Sequence, residues 1–243
     1  MAEFPPITIV MTTWSSNDQV GQARATYGWL ARTTWEQQLQ YAGQLHLHIA
    51  DDGSQLPDFP RMIAPSGKFR GNQITHSRQE RKGVGASLNA GLRQAFDVGP
   101  LAAFFTDDWA LRWPCDLSPW AALLMEEEDI GVVRLGPPHP WLTGQIERFE
   151  SDRWGIRIER HHFAWGHRPF LMHKRFYEYY GPFLEGVSAL DCEEDYNKRF
   201  CEGDSAHLDM GDSDIVCAIT YPFEHIGDVG LYNVIPQVEV GIA

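Results

Sequence analysis

No stretch of the 243-residue sequence is apolar for the length a membrane span needs. The start, Met-Ala-Glu-Phe-Pro-Pro, lacks the charged-then-apolar pattern of a secretory leader. Neither membrane insertion nor export is expected, and a cytoplasmic location is. Cysteine is scarce. Cys115, Cys192, Cys201 and Cys217 are scattered, and no two have zinc-knuckle or redox-pair spacing. Ordinary free thiols in a reducing compartment are expected. Positive charge is also short: 20 Lys and Arg face 33 Asp and Glu, a net charge of −13. Long-range repulsion then argues against a protein that coats nucleic acid or an anionic membrane. Repeats and low-complexity tracts are absent as well. What is present is a chain 43% hydrophobic, enough for a sizeable core.

The first part of the chain alternates strand and helix. Ile7 to Thr12, Leu45 to Ala50, Leu101 to Thr106 and Ile130 to Leu135 are short β-prone runs. A short strand is also expected over Gln73 to His76, after a Pro-, Gly- and Ser-rich loop at 55–72. Between the strands, Val20, Ala23, Tyr27, Leu30 and Ala31, and then Val84, Leu88, Leu92, Ala95 and Phe96, recur at helical spacing. Ser118-Pro119 opens a further helix, with Ser118 as the cap. Such alternation predicts an α/β fold with a mainly parallel central sheet and helices on both faces. His46 and His48 share one face of their strand, where a polar strand face is the plain reading and a metal pair the sharper one.

After Gly136-Pro137-Pro138 the pattern changes. Runs at 146–149 and 154–158 suggest a hairpin, Lys174 to Tyr180 a short helix, Asp191 the cap of a helix from Glu193 to Phe200, and Ile215 to Phe223 a late strand. A soft boundary near 136 is expected to separate a 1–135 half from a smaller 136–243 half packed on it as one continuous domain.

Two of the strands end in acidic pairs, Asp51-Asp52-Gly53 and Asp107-Asp108-Trp109. Parallel neighbours would deliver both pairs to the carboxyl edge of one sheet, where open α/β sheets bind ligands. Four carboxylates gathered there would repel one another unless a cation, or a ligand's donors, occupied the gap. A divalent metal with a phosphate-bearing partner is the expectation. Basic residues between the pairs, including Arg78, Arg81 and Lys82, suit such a ligand, although solvated residues explain most such clusters.

Four blocks together resemble the family 2 glycosyltransferases of the GT-A fold. They are Ile7-Thr8-Ile9-Val10-Met11-Thr12-Thr13-Trp14, then Ile49-Ala50-Asp51-Asp52-Gly53-Ser54. Next comes Gly83-Val84-Gly85-Ala86-Ser87-Leu88-Asn89-Ala90-Gly91-Leu92 with Phe105-Thr106-Asp107-Asp108. The last is Gly181-Pro182-Phe183-Leu184-Glu185 with Cys192-Glu193-Glu194-Asp195-Tyr196 and Arg199. No block is specific alone; their order and spacing carry the likeness. The family's acidic motif is usually Asp-x-Asp, and here Thr106 stands in place of its first acid.

The resemblance implies a nucleotide-diphosphate sugar as donor, a UDP-sugar foremost, and Mn2+ or Mg2+ as metal. Thr12, Thr13, Trp14 and Asp52 would line the base and ribose slot. Gly85 belongs to the same nucleotide-binding half, and Arg81 would help neutralise phosphate. Asp108 would hold the metal, and Asp107 would support it or touch the ribose. His225, in Glu-His-Ile-Gly, would complete the metal shell or touch the diphosphate. Asp195 would act as general base with inversion at the anomeric carbon, and Glu194 is the adjacent alternative. A segment rich in His and aromatic residues (Trp154, His161, His162, Phe163, Trp165, His167, Phe170) either packs as core or forms the acceptor site. Glycans, small molecules, proteins and a modified base in DNA are all open as acceptors. A non-catalytic nucleotide- or glycan-binding module of the same fold is the alternative. A sugar nucleotidyltransferase ranks low, because Thr13-Trp14-Ser15-Ser16-Asn17 contains neither glycine nor arginine.

Overall fold

The computed structural model describes residues 4–56, 58–136, 146–151, 156–161, 166–202, 214–218 and 222–226. In chain order the elements are β1 (Ile7–Thr13), α1 (Gln19–Gln38), β2 (Leu39–Gln40), β3 (Leu45–Asp51), α2 (Phe59–Ile63), β4 (Lys68–Phe69), β5 (Asn72–Gln73), β6 (Thr75–Arg78), α3 (Val84–Val98), β7 (Leu101–Thr106), β8 (Trp109–Leu111), β9 (Cys115–Asp116), α4 (Ser118–Glu126), β10 (Ile130–Arg134), β11 (Ile146–Ser151), β12 (Ile156–His161), β13 (Phe170–His173), α5 (Lys174–Tyr180), α6 (Ala189–Glu202), β14 (Asp214–Ala218) and β15 (Phe223–His225).

Nine strands form one sheet in the order β11-β12-β14-β10-β13-β7-β1-β3-β6. β6, β3, β1 and β7 pair in parallel. β13 is slotted antiparallel between β7 and β10. β14 then runs parallel to β10, and β12 and β11 close the edge as an antiparallel pair. Only β12 and β13 oppose the common direction of this sheet, so it is mainly parallel, as expected.

Period-two alternation in the central strands divides the core into two layers. Ile9, Met11, Leu47, Ile49, Ala103 and Phe105 face the layer that holds Trp35 of α1 and Leu123 and Leu124 of α4. Val10, Ala50, Ala102 and Phe104 face the layer of Leu88 and Leu92 of α3, Phe176 of α5, and Cys192 and Tyr196 of α6. Contact with β1 is so close at Gly91 of α3 that an added Cβ would lie 2.2 Å from Val10 Cγ1.

Several local expectations change. The 55–72 loop contains α2, β4 and β5. The strand expected at 73–76 lies at Thr75–Arg78, and the late strand divides into β14 and β15. Ser118 is not the cap of α4. The helix already begins there, and the Ser118 hydroxyl donates to Asp116 Oδ1 at 2.7 Å. α6 starts four residues earlier than expected. Its cap is Ser188, whose Oγ accepts from Asp191 N at 3.1 Å and donates to Asp191 Oδ2 at 2.7 Å. This reciprocal capping motif puts Asp191 inside the first turn rather than at the cap. His48 is buried between the hydroxyls of Thr75 and Ser77, each 2.9 Å from a ring nitrogen. That is the polar-face reading, with a covering strand added.

Candidate active site

The register of β1 with its two neighbours aligns their ends. Thr13 pairs with Asp51, and Thr12 with Thr106. Both acidic pairs therefore emerge at one carboxyl edge, beside Thr12, Thr13 and Trp14. The expected mutual repulsion persists between Asp107 and Asp108, but it is offset because each carboxylate has its own protein partners. Asp51 Oδ1 accepts from Ser54 N at 3.1 Å and Ser54 Oγ at 2.5 Å, and Arg78 Nε lies 3.6 Å from Oδ2. Asp52 accepts from Lys82 N at 2.8 Å, Gly83 N at 2.9 Å and Gln79 Nε2 at 3.0 Å. It thereby fastens the start of α3 to the end of β3.

Asp107 is wholly enclosed, with 0% of its side chain exposed. Arg24 of α1 donates to it twice, Nε to Oδ2 at 2.9 Å and Nη2 to Oδ1 at 2.8 Å; Thr13 Oγ1 adds a bond of 2.6 Å to Oδ2. Burial pushes the Asp107 carboxyl above its ordinary range, while the charge and hydrogen bonds of Arg24 pull it back. The charge of Asp107 raises the Arg24 guanidinium in turn. Both partners bear a desolvation cost, which dominates only for the fully enclosed Asp107. Of the two roles expected for Asp107, contact with a ribose has no exposed surface to use.

Asp108 differs from the other three. Its side chain is 26% exposed. Thr106 Oγ1 donates to Oδ1 at 2.5 Å, and His225 Nε2 lies 3.1 Å from Oδ2. Burial opposes ionisation, but the hydrogen bond and charge of His225, with the Thr106 hydroxyl, hold the carboxyl below its usual range. β15 delivers the histidine: His225 pairs with Trp109 of β8, and Ile226 N donates to Asp108 O at 2.8 Å. Residues 117 apart in sequence thus meet as one oxygen and one imidazole donor. Among the described residues no group of three or more His, Cys, Asp and Glu could hold a metal. Two protein ligands still fit a hard divalent ion that draws its remaining ligands from phosphates and water. Thr106, in place of an acid, orients Asp108 instead of adding a second charge.

Trp14 and Arg81 also come together. The Arg81 guanidinium lies 3.8 Å above the Trp14 ring, a cation–π contact. Among the described residues the buried Trp14 Nε1 has no hydrogen-bond partner. An unpaired buried donor is costly unless a ligand acceptor completes it. Gly85 has a packing reason for being glycine: a Cβ there would stand 2.1 Å from Leu184 O and 2.9 Å from Cys192 Sγ.

The acidic run of α6 spreads around the helix. Asp195 Oδ2 accepts from Arg199 Nε at 2.9 Å and from Nη2; Arg199 Nη1 donates to Pro182 O at 2.7 Å and Tyr180 O at 3.1 Å. Glu194 is exposed. Glu193, 28% exposed, accepts from His167 N at 2.6 Å. His167 Nδ1 lies 3.1 Å from the same oxygen but is turned off the line of a hydrogen bond. Sequence reasoning missed Arg24, Gln79 and the pairing of Glu193 with His167. Only Arg24 left a trace, the small residues Gly21, Ala25 and Gly28 on its helix. An added Cβ at Gly28 would come within 3.4 Å of Asp107 Cβ, so α1 approaches the Asp107 loop closely. Trp154, His162, Phe163 and Trp165 of the expected acceptor segment, with Gly227, lie outside the described residues, as does the side chain of His161. Cys115 and Cys192 are buried free thiols, pushed up by burial to about 12 and about 11.

No protein-family model matches this chain, and no curated protein matches it. Solved structures do. A structure of S. aureus TarS residues 1-349 superposes with a TM-score of 0.59 at 13% identity, covering 96% of this chain and 64% of that one. GalNAc-T7 with UDP, GalNAc and Mn2+ gives 0.57 at 12% identity, covering 90% and 42%. The mannosyltransferase PcManGT from Pyrobaculum calidifontis, in complex with GDP-Man and Mn2+, gives 0.50 at 16% identity, covering 76% and 49%. The chain therefore has the GT-A glycosyltransferase fold, and it spans 42%, 49% and 64% of the lengths of GalNAc-T7, PcManGT and TarS 1-349.

Proposed function

We propose that this protein is a metal-dependent glycosyltransferase that moves a sugar from a nucleotide-diphosphate donor, a UDP-sugar foremost, to a hydroxyl acceptor with inversion. The observation that carries the reading is the Asp108–His225 pair beside the Trp14–Arg81 stack, on the carboxyl edge of a GT-A sheet. Trp14 offers a flat ring to a base, and Arg81, stacked on it, brings positive charge to the same spot. Asp52 holds the start of α3 against this slot. Asp108 and His225 would hold Mn2+ or Mg2+, with Thr106 orienting Asp108 and Arg24 neutralising Asp107 behind it. Once bound, such an ion stabilises the charge of the departing diphosphate. Removal of the acceptor's proton needs a carboxylate, which the acidic run of α6 supplies.

Hydrolysis of UDP-glucose, UDP-GlcNAc and GDP-mannose in Mn2+ buffer tests this function. Turnover of at least one donor, abolished by EDTA and by Asp108→Asn, is expected. Turnover indifferent to both removes the metal from the reading. Thr106, in the place of an acid, keeps the binding-module alternative open; calorimetric binding of UDP or GDP without any hydrolysis would favour it.

A further inference from the structure

Glu193 and Asp195 lie about 200° apart around an α-helix, at 100° per residue. Cys192 and Tyr196 mark the buried stripe of α6, so the two acids flank it on opposite sides. Their partners show where each side leads. Asp195 is engaged by Arg199, which is bolted to the carbonyls of Tyr180 and Pro182 where α5 ends. Glu193 contacts His167 instead. β13 runs antiparallel to β7 with Phe170 opposite Phe104, so the segment before Phe170 sits at the carboxyl end of β7, the strand that leads into Asp107 and Asp108. His167 packs its ring edge against Phe104, with centroids 6.3 Å apart.

The first turns of α6 stand over the same edge. Gly186 N donates to Lys82 O at 2.7 Å, and Cys192 Sγ closes on Gly85. Asp52 holds Lys82 and Gly83 from the other side. One contiguous chain of contacts thus runs from the Asp52 slot to the start of α6. Glu193 Oε1 is fixed by the His167 backbone, and the charge of Arg168 also acts on this carboxylate.

From this placement we infer that Glu193, positioned by the His167 backbone, is the general base for the acceptor hydroxyl, and that Asp195 is an anchor for Arg199. The assignment rests on the glycosyl-transfer reading above. In the step, the acceptor oxygen bonds to the anomeric carbon as that carbon's bond to the diphosphate oxygen breaks. The acceptor's proton passes to Glu193, and the electron pair leaves with the diphosphate. Burial tends to raise the Glu193 carboxyl, but its contacts with His167 and the charge of Arg168 hold it below its ordinary range, so it is ionised and able to accept.

The test compares Glu193→Gln, Glu193→Asp and Asp195→Asn, using whichever of the three donors the wild type hydrolyses and calorimetry with UDP or GDP plus Mn2+. Glu193→Gln is expected to lose about 10²- to 10⁴-fold in turnover, with nucleotide affinity within about twofold of wild type. Glu193→Asp keeps the charge with a shorter reach and loses about tenfold. Asp195→Asn keeps turnover within about threefold. A hundredfold loss in Asp195→Asn overturns the assignment, as does unchanged turnover in Glu193→Asp or Glu193→Gln. A wild type that binds and hydrolyses none of the probes instead removes the transfer reading, and this base with it.

Discussion

Replacing Arg24 by Met strands a charge that the fold has enclosed. Asp107 has no exposed side-chain surface and takes two of its three side-chain hydrogen bonds from that guanidinium. Removing one partner of a buried ion pair typically costs about 3–5 kcal/mol. Arg24 is 34% exposed, so water screens part of the interaction and the figure falls to about 2–3 kcal/mol. For a chain of this size that is about 5–10 °C in melting temperature. The loss depends on pH in a definite direction. Without the guanidinium, the folded pKa of Asp107 lies still further above the ordinary 3.8. The folded state then holds a proton that the unfolded chain has released. The penalty is full above the folded pKa and fades as pH falls through it toward 3.8. Urea unfolding of both proteins at pH 7, 5.5 and 4.5 measures this. The gap between them should be widest at pH 7, shrink toward acid, and mostly close in the double variant Arg24→Met/Asp107→Asn. A gap below about 0.5 kcal/mol at pH 7, within the range of ordinary surface substitutions, or one that widens in acid, refutes the reasoning.

Other perturbations have equally definite outcomes. Gly85→Ala places a methyl 2.1 Å from the Leu184 carbonyl; backbone must move, and a loss of about 1–3 kcal/mol is expected by chemical denaturation. Burial lowers His48 to about 4, so it stays neutral in the fold while the unfolded side chain protonates near 6.5. The unfolded state therefore binds more protons in that window, and stability falls as pH drops from 6.5 toward 4 by about 1.4 kcal/mol per pH unit. His48→Gln should flatten that limb of the pH–stability curve. Arg81→Ala removes the cation over Trp14 and should weaken UDP binding about five- to thirtyfold, from a cation–π and phosphate contact of about 1–2 kcal/mol. An unchanged calorimetric affinity would place the nucleotide elsewhere.

The strands and the helices on either side of them could be foreseen because period-two and helical spacing are local signals. Leu101–Thr106 and Lys174–Tyr180 fall where their residues predict. The antiparallel insertion of β13 beside β7 could not, since nothing in Phe170–His173 says which neighbour it will find. Asp108 and His225 were each suspected from a short motif, and their contact at 3.1 Å is a tertiary fact. The four-carboxylate repulsion was overestimated, although Asp108 still raises Asp107, because partners such as Arg24, Gln79 and Ser54 come from other elements or from turn geometry that charge counting omits. Asp195 looked the strongest acid of its run because it matches a motif. Which side of α6 each acid takes becomes visible only once the buried stripe of Cys192 and Tyr196 fixes how the helix lies.

The donor-site claim is tested most directly by Mn2+ electron paramagnetic resonance of the protein with UDP. With wild type, the free-ion signal should fall as UDP is added, and in Asp108→Asn and His225→Ala the same titration should leave most of it in place. An equal loss of signal in all three proteins would contradict the account, because the ion would then be held without the carboxylate and imidazole that meet at this edge.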